Sequence, residues 1–160
     1  MRSDAVNEEL ASILKRTVCL VGVGNRMKGD DAFGPLLIDR LAGSIRFTCI
    51  DAGVAPENYL ERIIRVGAGT VLFADAADFG GRPGELRIIE PRRLSGNALS
   101  THALSLGLAA EYLSKRGAGR ILLLAVQPAA AGLGDPVSTP VAATLESLAK
   151  WFVAMYGVDN

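Results

Sequence analysis

The chain has 160 residues, 49% of them apolar and 21% charged, with 17 basic and 17 acidic side chains and a formal net charge of zero. That length fits one domain with a real core, burying roughly 70% of the surface its unfolded chain would expose. The even charge balance, with Arg92-Arg93 and Lys115-Arg116 as isolated basic pairs, argues against a nucleic-acid binder, and no apolar run approaches the ~20 residues of a membrane helix.

Residues 1–16, MRSDAVNEELASILKR, mix acidic residues with a short apolar run and lack the plan of a signal peptide. They read as an N-terminal extension, helical or mobile, ahead of a single domain over 17–160. Apolar runs then predict strands at 17–24 (TVCLVGVG), 46–51 (RFTCID), 70–75 (TVLFAD) and 120–126 (RILLLAV), as expected of a parallel sheet covered on both faces. The segment 85–90 (ELRIIE) begins polar and alternates imperfectly, which places it at a sheet edge, antiparallel to its neighbour. Helical patterns fall at 32–43, 56–66, 102–116 and 137–156, with Gly117 and Gly119 ending the third. A long loop, PAAAGLGDP, occupies 128–136. Strand and helix alternate throughout, the pattern of an α/β fold with helices on both faces of the sheet. Cys19 and Cys49 fall inside core strands, so they predict free thiols and a reducing, cytoplasmic setting.

In open α/β sheets, sites form beyond the carboxyl ends of the strands. Those ends carry Asn25 to Asp31, then Asp51, Asp75 with Asp78, and Gln127. The first of these loops, GNRMKGDDAFGP (24–35), looks like a phosphate cradle but fails as one. Met27 stands where a dinucleotide fingerprint needs its third glycine, and Asp30 and Asp31 follow Gly29 where a nucleotide loop needs Lys-Ser/Thr. Two carboxylates would repel phosphate. They would suit a helix dipole, so one reading is that Asp30 or Asp31 caps the helix running to residue 43. The other is that the pair serves a cation. Asp75 closes a strand expected to be central, where a carboxylate needs hydrogen bonds or a cation, whereas Asp78 reads as loop. His102, the one histidine, follows the cap residues Ser100 and Thr101 and lies in the first turn of a helix. A lone histidine is commonly a satisfied structural residue. A helix N-terminus, however, disfavours the imidazolium and predicts a neutral, metal-binding ring. Two carboxylates and an imidazole make an incomplete N/O set, better suited to nickel or zinc than to magnesium or calcium.

Taken together, these stretches resemble the hydrogenase maturation endopeptidases, which trim the large subunit of nickel-iron hydrogenases. The likeness runs from about residue 17 to 150 and rests on ordered blocks: GVGNRMKGDDAFGP, IDAGVAPENYLERI (50–63), FADAADFGGRPGELRIIEP (73–91), STHALSLG (100–107) and LLAVQP (123–128). It is nearest to the branch serving formate-hydrogenlyase-type hydrogenases. The resemblance implies a three-layer α/β/α fold around a twisted, mostly parallel five-stranded sheet. It implies removal of a C-terminal extension from the large-subunit precursor after nickel insertion, with nickel arriving in the substrate and no organic cofactor. The family's nickel-contacting positions match Asp31, Asp75 and His102, and Asp51 matches a further acidic position often considered functional; these four are the catalytic residues that the resemblance implies. The family loop commonly reads Gly-Asp-Asp-Gly, whereas Ala32 follows the pair here.

Two routes to bond cleavage stay open under this resemblance. In one, a metal-polarised water is deprotonated by an aspartate; in the other, a carboxylate activates water while nickel serves recognition alone. Covalent catalysis is disfavoured, because no serine or cysteine stands beside His102 with an orienting partner. The competing readings are a nickel-binding chaperone without peptidase activity and a nucleotide-binding module. The expected enzyme is a cytoplasmic monomer whose partner is the hydrogenase precursor.

Overall fold

A computed structural model describes residues 2–94 and 102–159. Five strands form one sheet: β1 (Val18–Val23), β2 (Thr48–Gly53), β3 (Thr70–Ala76), β4 (Leu86–Ile89) and β5 (Arg120–Val126), in the order β2-β1-β3-β5-β4. All pairings are parallel except β4 with β5, which is antiparallel. The expected mostly parallel five-stranded sheet is thus present, with the polar-headed segment at its antiparallel edge.

Side chains alternate across the pleat and build two cores. Leu20, Leu72, Leu122 and Leu124 face α1 (Arg2–Ile13), α2 (Phe33–Leu41) and α5 (Thr139–Tyr156). Cys19, Val21, Val71, Phe73 and Leu123 face α3 (Leu60–Val66) and α4 (Ala103–Lys115). Both cores lie within the three-layer α/β/α arrangement. The expected helix at 56–66 begins as a 3-10 turn over Pro56–Tyr59, and that at 32–43 follows a 3-10 turn over Gly29–Ala32.

The N-terminal segment is helical over Arg2–Ile13. Its Leu10 and Leu14 are 0% and 1% exposed, so α1 packs into the same core as α2 and α5. Cys19 and Cys49 are both free thiols.

From β1 the chain turns to β2 on one side, and from β3 it proceeds to strands on the other. The carboxyl ends of β1 and β3 therefore flank the switch point at which such sheets form their crevices. Helix α2 leaves that point pressed against the sheet. A Cβ on Gly34 would collide with the backbone of Val23 and Ala74, so only glycine permits this approach.

Candidate functional site

The loop after β1 divides its two aspartates between different tasks. Asp31 turns its carboxylate back to the end of β1, where Oδ2 accepts a hydrogen bond from the Asn25 N–H at 2.9 Å. Asp30 is fully buried and points toward the long loop before α5. Its carboxylate accepts bonds from the N–H groups of Ala129 (2.8 Å), Ala130 (2.9 Å) and Ser138 (2.7 Å), and from the Ser138 hydroxyl (2.8 Å). Burial alone would raise the Asp30 pKa, but the donors from Ala130, Ser138 and Ala129 outweigh it and hold the carboxyl below its usual range. Neither aspartate caps α2, whose N-cap is Ala32 without a side-chain bond. Asp30 instead anchors Ser138, the N-cap of α5, across 108 positions of sequence. The turn that permits this passes through Gly29 at φ 51°, where a Cβ would meet the Ala130 carbonyl oxygen at 2.5 Å.

Asp75 is the penultimate residue of the fully buried central strand β3 and is 0% exposed. Its Oδ1 accepts from the Ala76 N–H at 2.8 Å, and its Oδ2 lies 3.1 Å from His102 Nδ1. His102 is the N-cap of α4, one place before the first helical turn in which it was expected. Because α4 precedes β5 and runs back against it, its N-terminus lies at the same carboxyl edge as Asp31 and Asp75. The cap residues Ser100 and Thr101 lie outside the described residues.

The structure brings Asp31, Asp75 and His102 together. All three are buried, each offers one donor atom, and those atoms lie within 4.8 Å of one another. No other such group of His, Cys, Asp and Glu occurs among the described residues. Two carboxylates and an imidazole nitrogen at this spacing fit a borderline divalent ion. His102 Nδ1 faces both acids, at 3.1 Å from Asp75 and 4.0 Å from Asp31.

That placement adds partners that the neutral-ring expectation did not include. The hydrogen bond to Asp75 is the main influence and raises the His102 pKa, against burial and with further attraction from Asp75, Asp31 and Glu57. Full charges at 3–4 Å outweigh the fractional charge of a helix end. The shift is therefore upward, against the direction expected from the helix end alone.

The other strand-end groups take different positions. Asp51 is not a member of this cluster; it pairs with Arg26, whose guanidinium donates to Asp51 Oδ2 at 2.7 Å and to both oxygens of Asp39. Asp51 Oδ1 accepts from the Gly53 N–H. Arg26 was not singled out in the sequence, since its partners lie 13 and 25 positions away and no motif links them. Gln127 is a latch: its Oε1 accepts from the N–H groups of Phe79 and Gly81, and its Nε2 donates to Asp78. That donor, with the Gly80 N–H, holds the Asp78 carboxyl below its usual range.

A family model described as HycI, hydrogenase maturation protease, matches residues 36–154. The chain belongs to the hydrogenase maturation protease family. Asp51, Asp75 and His102 fall inside the matched span, and Asp31 lies just ahead of it. The hydrogenase 3 maturation protease of Escherichia coli K12 is 35% identical over 135 residues, covering 82% of this chain and 86% of that relative. Among solved structures, the NiFe hydrogenase maturation protease HycI of Thermococcus kodakarensis KOD1 superposes with a TM-score of 0.83 at 30% identity, covering 94% of this chain and 97% of that one. The endopeptidase HycI of Escherichia coli gives a TM-score of 0.74 at 31% identity, covering 86% and 90%. The resemblance drawn from the sequence blocks is borne out, as are the α/β fold and the assignment as a peptidase of hydrogenase maturation.

Proposed function

We propose that this maturation protease removes a C-terminal extension from the large-subunit precursor of a nickel-iron hydrogenase after nickel has been inserted, and that Asp31, Asp75 and His102 read that nickel. One observation carries the reading: three buried donors within 4.8 Å of one another, at the switch point of an α/β sheet, in a chain of this family. Nickel here belongs to the substrate. A precursor lacking it engages none of the three donors, and docking is then unproductive. With nickel engaged, the scissile carbonyl lies beside two carboxylates, one of which serves as general base for the attacking water. Asp51 acts through the Arg26 loop at the margin of the site.

The processing unit is residues 17–160, with α1 packed beneath it. The free thiols Cys19 and Cys49 fit a reducing cytoplasm. We assign a monomer as the working form. The hydrogenase 3 named for the Escherichia coli relative makes a hydrogenase of that type the first substrate to try.

The test is mass spectrometry of the cognate precursor, nickel-loaded and nickel-free, with the wild type and with Asp31→Asn, Asp75→Asn and His102→Gln. A C-terminal peptide is expected to leave only the loaded precursor, with each variant slowed about 100-fold or more and its far-UV circular dichroism unchanged. Normal trimming by all three variants would sink the assignment.

A further inference from the structure

The three donors lie below the surface, with Asp75 at 0%, Asp31 at 6% and His102 at 8% exposure. Nickel carried inside a folded precursor reaches them only if the two protein surfaces meet around the site. The surroundings of the site are therefore informative about its partner.

Those surroundings carry exposed apolar side chains among the polar ones. Among the described residues, the five most exposed large hydrophobic side chains are Leu104 (78%), Leu133 (72%), Met27 (68%), Leu108 (58%) and Val54 (54%). They come from four segments far apart in sequence: the loop after β1, the loop after β2, the first turns of α4 and the loop after β5. Each of these segments starts or ends at the carboxyl edge that holds the donors. Leu104 stands two residues beyond His102, and Met27 four residues before Asp31.

This collar is also held in place. The Gly134 N–H donates to the Met27 carbonyl at 2.8 Å, which ties the segment bearing Leu133 to the one bearing Met27. Asp135 Oδ2 accepts from Gly132, and buried Asp30 pins the start and end of the same loop. Beyond β2, the Ala55 N–H donates to the Ala52 carbonyl across Val54. Hydrophobic side chains displayed on hydrogen-bonded loops lose nothing further in loop entropy when a partner covers them. Apolar patches of this kind mark interaction sites.

We infer that Met27, Val54, Leu104, Leu108 and Leu133 form an apolar collar around the Asp31-Asp75-His102 site, and that it docks the folded body of the nickel-loaded hydrogenase precursor. The inference rests on the function proposed above and extends it from the reacting centre to the recognition surface. A folded body is the occupant that fits, because the donors lie below the surface and the five side chains stand on four separate segments of the same edge. A lipid surface is disfavoured, since the chain has no net charge and Arg26, beside Met27, is paired with Asp39 and Asp51. Recognition is thus divided. The collar sets how tightly the precursor is held, and the donor triad sets whether it is cut.

The test compares steady-state cleavage of the nickel-loaded precursor by the wild type, by Leu104→Ser/Leu133→Ser and by Met27→Ser/Val54→Ser. A control, Val153→Ser/Met155→Ser, removes exposed apolar side chains from the far end of α5. Calorimetric titration of the precursor and light scattering accompany each variant. Both collar variants are expected to raise KM and Kd about ten-fold or more, as loss of anchor residues does, with kcat within about two-fold; the control should match the wild type. Collar variants indistinguishable from the control would overturn the inference. So would a wild-type dimer that the collar variants convert to monomer with KM unchanged, because a second copy would then be the occupant. A wild type that binds precursor through the collar but never shortens it would uphold the inference and remove the peptidase reading instead.

Discussion

Replacing Asp30 with alanine tests the claim that this residue is an anchor rather than a ligand. The carboxylate is fully buried and takes four donors, three of them backbone N–H groups of the loop entering α5. Hydrogen bonds to a charged group contribute about 1.5–3 kcal/mol each, which would give roughly 6–12 kcal/mol if they simply added. They do not add here, because Ala129 is exposed and Ala130 and Ser138 are half-buried, so water can reach the released donors. A loss of about 3–4 kcal/mol is the reasonable figure, near that for breaking a buried charge arrangement. Set against a total of ~8–12 kcal/mol for a domain of this size, the variant still folds. With an m-value of about 2 kcal/mol/M, its urea midpoint should fall by roughly 1.5–2 M. Asp30→Asn keeps the shape and one acceptor oxygen, so about half that loss is expected. Limited proteolysis should find new cleavage within 128–137 in Asp30→Ala. A midpoint within ~0.3 M of the wild type, inside the error of such extrapolations, would refute the anchoring argument.

Two further outcomes follow from the packing. Gly34→Ala places a Cβ against the backbone of Val23 and Ala74, which cannot move aside; overpacking of this kind costs about 3 kcal/mol and should lower Tm by about 6–12 °C. An ordinary helical glycine would gain stability on the same change, so a raised Tm in calorimetry contradicts the close approach. Burial pushes the Cys19 thiol up to about 12, with the neighbouring Cys49 adding to the effect. Its proton is therefore kept in the folded state and released from the unfolded chain above about pH 9, so stability present below that pH is lost as pH rises toward 12, at up to ~1.4 kcal/mol per pH unit. Urea titrations between pH 8 and 10.5 should show this slope in the wild type and a shallower one in Cys19→Ala; equal slopes would refute it.

The parts of the molecule legible in the sequence were those governed by local pattern. Continuous apolar runs marked β1, β3 and β5 as strands covered on both faces, and the polar head of ELRIIE marked β4 as the antiparallel edge. The donor triad was legible because each member sits at a strand or helix end, where an α/β sheet collects its functional groups. What escaped was set by partners distant in sequence. Nothing near Asp30 shows that its donors lie about a hundred residues on, so it could not be separated from Asp31. Arg26 drew no notice for the same reason. The upward pull on the His102 pKa was not legible because the helix end was visible in the sequence and the Asp75 contact was not. The boundary at residue 16 followed where the family-like blocks begin, whereas Leu10 and Leu14 bury themselves without regard to it.

The donor triad contains the chain's sole histidine. Every imidazole resonance in a proton NMR spectrum of the untagged protein consequently comes from this one site, with no assignment or labelling scheme needed. Nickel is paramagnetic in its common six-coordinate form, so its arrival would broaden or shift that lone spin system while a diamagnetic ion such as zinc moved it without broadening. A polyhistidine purification tag would bury the signal under its own and compete for the ion. Removing the tag makes His102 a built-in reporter, able to follow metal and proton at the site as precursor is added.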